Sequence, residues 1–144
     1  MNTKVLLAAL AGGVASFLLG WLVFGILLDP WYRSIMTPEA VAAQRPMEEM
    51  LMWAIILSNL VYGLLLALIY NRWAGISTFK SGAIAGAVIG LLVALSYGLG
   101  VYAFMKIWTS PAILFVDPIA SGVVGAIVGG VVGWVLGYGQ RQAA

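Results

Sequence analysis

Apolar residues fill four long runs of this chain, and polar residues gather between them. The runs cover residues 5–28, about 50–70, 81–105 and 118 to about 139, and none holds an acid or a base. About 20 mostly apolar residues suffice for a helix to cross a bilayer. The pattern therefore predicts an all-α fold, an integral membrane four-helix bundle, with residues 1–144 forming one transmembrane domain. The polar stretch 29–49, "DPWYRSIMTPEAVAAQRPMEE", is the longest connection. Thr37-Pro38 followed by Glu39 is a helix-start signal, which predicts a short interfacial helix near residues 38–44. The next span is expected to begin near Pro46. Trp31 and Tyr32 suit an aromatic anchor at the membrane surface.

The third connection, "KIWTSPAILFVDP", carries two helix starts, Ser110-Pro111 and Asp117-Pro118. The five residues between them are too few to span. They are expected to form an irregular start to the fourth helix, bent at Pro118, or a short interfacial or re-entrant piece.

Small residues recur every four positions within the runs. The fourth has Ser121, Gly125, Gly129, Gly133 and Gly137, with Gly122, Ala126 and Gly130 on the adjoining ridge. The third has Gly82, Gly86, Gly90, Ala94 and Gly98, and the first has Ala8, Gly12, Ser16 and Gly20. Residues four apart stack on one helix face, so Gly/Ala/Ser ladders are expected on helices 1, 3 and 4. Glycine costs roughly 1 kcal/mol against alanine in a soluble helix. In lipid it allows close backbone approach, the contact that holds membrane helices together. The second run has only Asn59, Gly63 and Ala67 among Leu and Ile. Three ladders and an extra ridge exceed the needs of one small bundle, which points to a homo-oligomer or a membrane-protein complex.

Composition sharpens the class. Of the 144 residues 63% are hydrophobic and 8% charged, far from the balance of a soluble domain. The first run continues for 24 residues without a polar cleavage region, so it reads as a retained helix rather than a signal peptide. There is no cysteine and no histidine, which removes disulfides, thiolate metal sites and the commonest general base. A net charge of +2 is too small for a nucleic-acid surface. Lys4, Arg72, Lys80 and Arg141 fall on the side of the termini, giving +4. Arg33, Arg45 and Lys106 fall on the other side with five acids, giving 3 − 5 = −2. Basic residues favour the cytoplasm, so a bacterial inner membrane with both termini cytoplasmic is the expected setting.

Few side chains carry chemistry. Ser16, Ser58, Asn59 and Ser96 sit near mid-span, where polar groups must find partners. Interhelical hydrogen bonding is one expectation for them. The other is a small polar binding site of Ser58, Asn59, Ser96 and Tyr97. Asp117 is expected to cap the fourth helix or, facing inward, to act as a ligand. No metal site, cofactor or catalytic residue is expected.

The segments "GAIAGAVIGLLVALSYGLGVYAFMKIW", "FVDPIASGVVGAIVGGVVGWVLG" and "FGILLDPWYRSIMTPE" resemble a family of small four-span bacterial membrane proteins known as a domain of unknown function. That resemblance implies four helices and no assigned activity. Small multidrug exporters place a carboxylate inside their first helix, which this chain lacks. Small dimeric fluoride channels have polar Asn and Thr motifs within several spans, whereas here Asn59 is the only mid-span amide. The expected function is a non-enzymatic structural or accessory subunit packing with itself or a larger complex. The alternative is a small oligomeric channel or passive transporter with a polar site near Asn59.

Overall fold

The computed structural model describes residues 2–138. Gly139, expected to end the fourth span, and Arg141, counted among the terminal charges, lie outside the described residues. Helix α1 covers Thr3–Gly20 and continues as a π-helix over Trp21–Leu27. Two short helices follow, α2 (Asp29–Ile35) and α3 (Pro38–Ala42), then a 3₁₀ turn over Met47–Glu49. Helix α4 (Met52–Leu68) also ends in a π stretch, Ile69–Ala74. Helices α5 (Phe79–Phe104) and α6 (Ile113–Gly137) complete the chain. The described residues contain no strand, only one antiparallel bridge between Met36 and Trp108. The four long helical segments have 25, 23, 26 and 25 residues, long and apolar enough to cross a membrane.

Local signals set the ends. The Asn2 side chain accepts from the Lys4 N–H, Thr37 from Ala40 and Thr78 from Ser81. Each cap satisfies a backbone donor that its helix leaves free. Gly75 stops the second long helix at φ +61°, a left-handed turn that glycine adopts without strain. Three boundaries differ from those read in the sequence. The second span begins at Met52 and not near Pro46, because Pro46 opens only the 3₁₀ turn and Met50 after it is extended. Asp29-Pro30 opens α2, a helix the loop pattern did not predict, because α2 offers only seven residues and no periodic face. Helix α6 begins at Ile113 and runs unbroken through Pro118, which is buried inside it. Membrane helices tolerate interior proline better than soluble ones do. Asp117 therefore lies within α6 and caps nothing.

The helices form two hairpins, α1 with α4 and α5 with α6, joined where α1 lies against α6. Antiparallel α5 and α6 meet backbone to backbone. A methyl group on Gly129 would come 2.8 Å from the Cα of Gly86, and one on Gly125 would come 3.3 Å from Gly90. Gly133 faces Gly82 in the same register, at 3.2 Å. Gly137 continues the contact onto the Ser77 carbonyl. Beyond Gly90 the two helices separate, and Gly98 has only the Leu114 side chain near it, at 3.9 Å.

The other hairpin uses the same device. A methyl on Gly12 would come 3.3 Å from the Cα of Gly63, and one on Gly13 would come 3.0 Å from that of Leu60. The sequence pattern had assigned no small-residue face to this second helix. One glycine is enough there because α1 supplies Ala9, Gly12 and Gly13 opposite it. Gly20, by contrast, has open space beside it.

Large side chains mostly point outward. Leu10, Val14, Leu18, Trp53, Val61, Val88 and Leu92 are all exposed. The core is a thin seam of Val5, Ala8, Leu66, Ala67, Val128 and Val132 where α1, α4 and α6 meet. Within their most apolar stretches, 50% of the α6 residues are buried but only 11% of those in α5. Tyr70 fastens the seam to α5. It is fully buried, and its hydroxyl donates to the Gly82 carbonyl at 2.7 Å.

The far end is tied by its loops. The Thr37 N–H donates to the Ile107 carbonyl at 2.9 Å, and the Thr109 N–H to Ile35 at 2.7 Å. Both threonine hydroxyls add a bond across the same joint, to Lys106 and Ile35.

Candidate functional site

Where α5 leaves α6 beyond Gly90, a cleft of about 370 Å³ opens among the four long helices. Ligand pockets span roughly 300–1,000 Å³. Glycine and alanine make its floor, at Gly20, Gly90 and Ala94, and aromatic rings make its walls, at Phe24, Tyr62 and Tyr97. Its polar groups are Ser16, Asn59, Asp117 and Ser121.

At the deep end Ser16 donates to the Asn59 side-chain oxygen at 2.6 Å. The Asn59 amide donates in turn to the Ile55 carbonyl at 2.8 Å. Asn59 thereby keeps one N–H and one lone pair for a further partner. The Ser16–Asn59 bond crosses from α1 to α4, and Ser16 is buried. Its worth is about 0.6–1.7 kcal/mol by analogy with bonds between membrane helices. Ser16→Ala and Asn59→Leu should each destabilise the protein by that amount, and the double variant by no more than the larger single. Unfolding in mixed micelles measures this, and additive losses would show that the two side chains act separately.

At the shallow end the Tyr32 hydroxyl donates to Asp117 Oδ1 at 2.7 Å. Tyr32 also lies against Phe24 and Trp108, with ring centroids 6.4 and 5.8 Å apart. The loop joint described above holds α2 and Trp108 together, so it positions this pair. Burial, and then the Asp117 carboxylate, push the phenol above its ordinary range. Tyr32 consequently stays protonated and remains the donor.

The structure thus brings Asn59, Tyr97 and Asp117 to one cleft. It does not bring Ser58 or Ser96 there. Ser58 is exposed and bonds back to the Ile55 carbonyl at 2.8 Å. Ser96 lies on an exposed face of α5 outside the cleft. Tyr32, Phe24, Tyr62 and Ser121 join the site without having been read as candidates for it. Asn59 and Gly20 also line a second cavity of about 390 Å³ on the other side of α1, beside Trp21, Asp29 and Met50. Asn59 therefore stands at the partition between two cavities.

Among the described residues, no three His, Cys, Asp or Glu side chains converge as a metal site would require. Among the described side chains, Ser16 is bonded to Asn59 and Asp117 to Tyr32, and neither Ser16 nor Ser121 is bonded to a general base. No known protein family, curated protein or solved structure matches the chain.

Proposed function

We propose that the chain is a non-enzymatic multi-pass protein of the bacterial inner membrane, with both termini cytoplasmic. In this reading it is a structural or accessory subunit that packs against a second copy or a larger membrane complex. A groove between α5 and α6 carries the reading. Ala87, Gly122 and Ala126 form its floor, with Leu91, Leu92, Ile119 and Val123 among its flanks, and no residue of α1 or α4 reaches it. The glycine ladders of α5 and α6 close the chain on itself, while the adjoining ridge of α6 stays open at Ala126. Small floors between apolar flanks suit the close approach of another helix in lipid. The orientation rests on Lys4, Arg72 and Lys80 lying at the end where α1 starts and α4 turns into α5.

The test is the mass of the complex taken from its native membrane in mild detergent, with each component identified. A defined homo-oligomer or a stoichiometric partner is expected. Ala126→Leu should release the chain as a monomer while changing its own stability by no more than about 0.5 kcal/mol. A stable lone monomer from the unaltered protein would remove the proposal.

The position of Asn59 between two cavities favours one second reading, a passive channel or transporter. Solute flux in proteoliposomes that Asn59→Leu abolishes would select it. Coupled transport usually needs an intramembrane ionisable group, and the cleft offers none deeper than Asp117.

A further inference from the structure

Asp117 is a carboxylate in an aromatic cleft, and among the described residues no cation pairs with it. Its one protein partner is the Tyr32 hydroxyl, on Oδ1. Among the described residues the single ion pair is Arg33 with Asp29, at 2.8 Å, on the exposed face of α2. The cleft below Asp117 is mostly apolar, its polar groups being Ser121, Ser16, Asn59 and the Tyr62 and Tyr97 hydroxyls. It passes Tyr97, which is 75% exposed at its mouth, and reaches Gly90 and Val124.

We propose that this cleft binds an amphiphilic amine, a lipid-soluble molecule with one ammonium head and one alkyl chain. The head sits against Asp117, and the chain lies along the cleft toward Gly90. Charge complementarity selects the head, because a carboxylate flanked by Tyr and Phe rings attracts an ammonium by ion pairing and by cation–π contact. Tyr32 holds the carboxylate by one oxygen and leaves the other to the ligand. The chain is selected by the Val93, Ala94 and Val124 surfaces and by the absence of a side chain at Gly20 and Gly90. The site is independent of the α5–α6 groove, so binding of an amine and assembly with a partner are separable.

The experiment is equilibrium binding of radiolabelled dodecyltrimethylammonium to the full chain in lipid nanodiscs, with dodecylamine and dodecanol as competitors. One saturable site per chain is expected, displaced by dodecylamine about tenfold more effectively than by dodecanol. Asp117→Asn should weaken binding by about tenfold or more, while Ser96→Ala, on the exposed face of α5 outside the cleft, leaves it unchanged. Gly20→Leu should plug the cleft and lose binding too, because Gly20 has free space around it and the helix contacts lie elsewhere. Circular dichroism melts establish that each variant is folded. Dodecanol competing as well as dodecylamine would reduce the site to an apolar groove and overturn the proposal. Binding that survives both Asp117→Asn and Gly20→Leu would overturn it equally.

Discussion

Replacing Gly86 with leucine is expected to leave no folded protein. Gly86 lies where α5 presses on α6. Even a methyl there would come 2.9 Å from the Cα of Gly129 and closer still to the Gly125 carbonyl. Both obstacles are backbone, so no side chain can swing aside. Ordinary overpacking of a core costs about 1–3 kcal/mol. Here the helices must separate, which also undoes Gly82 on Gly129 and Gly90 on Ser121. The loss should exceed about 3 kcal/mol, a large share of the roughly 5–15 kcal/mol that holds a domain folded. Gly86→Ala should fall between the leucine variant and the parent. Gly100→Ala is the control, since nothing lies within 4 Å of it. That change should be neutral or stabilising by up to about 1 kcal/mol. Tryptophan fluorescence during unfolding in mixed micelles reads all three. A Gly86→Leu protein as stable as the parent would mean that α5 and α6 do not meet through these glycines.

Tyr70→Ala should be the second most damaging change. The ring is fully buried where the last turns of α4 reach the start of α5. Removing a buried aromatic ring costs about 3–5 kcal/mol in cores that cannot collapse around the hole. The loss here is also architectural, because α5 packs chiefly on α6 and Tyr70 is its fastening to the first hairpin. Tyr70→Phe should cost only about 1 kcal/mol, since the Gly82 carbonyl also serves the α5 helix. Cross-linking between a cysteine placed in α4 and one placed in α5 follows the joint. Yields should fall for Tyr70→Ala and hold for Tyr70→Phe. Equal yields in both would show that the ring does not hold the hairpins together.

The four long helices were legible because uninterrupted apolar runs leave the backbone no other way to satisfy itself. The four-residue spacing also showed which face of α5 and of α6 is small. It could not show that these two faces meet each other, because spacing on one helix says nothing of its partner. Gly63 illustrates the opposite failure. Alone in its run it makes no pattern, yet it is where α4 comes nearest to α1. Asn59 was visible as the single mid-span amide, but its bond to Ser16 joins residues 43 apart, and the sequence offered several serines. Asp117 was misplaced by its neighbour. Asp-Pro is a strong helix-start signal, and the helix instead begins five residues earlier with no side-chain cap. Its partner Tyr32, 85 residues away, reaches it only because the Met36–Trp108 bridge brings two loops together. Long-range ties of that kind have no local signature.

The division into two hairpins also bears on how the protein is made. As synthesis proceeds, α1 finds α4 as soon as the second long helix leaves the ribosome. The valine face of α6 that covers α1 is delivered only after α5. Until then the Val5 and Ala8 side of the first hairpin waits uncovered. The second hairpin meets no such delay, since α5 is followed at once by the helix that fits its glycines. Assembly is therefore a docking of two hairpins, and the delivery of α6 sets its earliest moment.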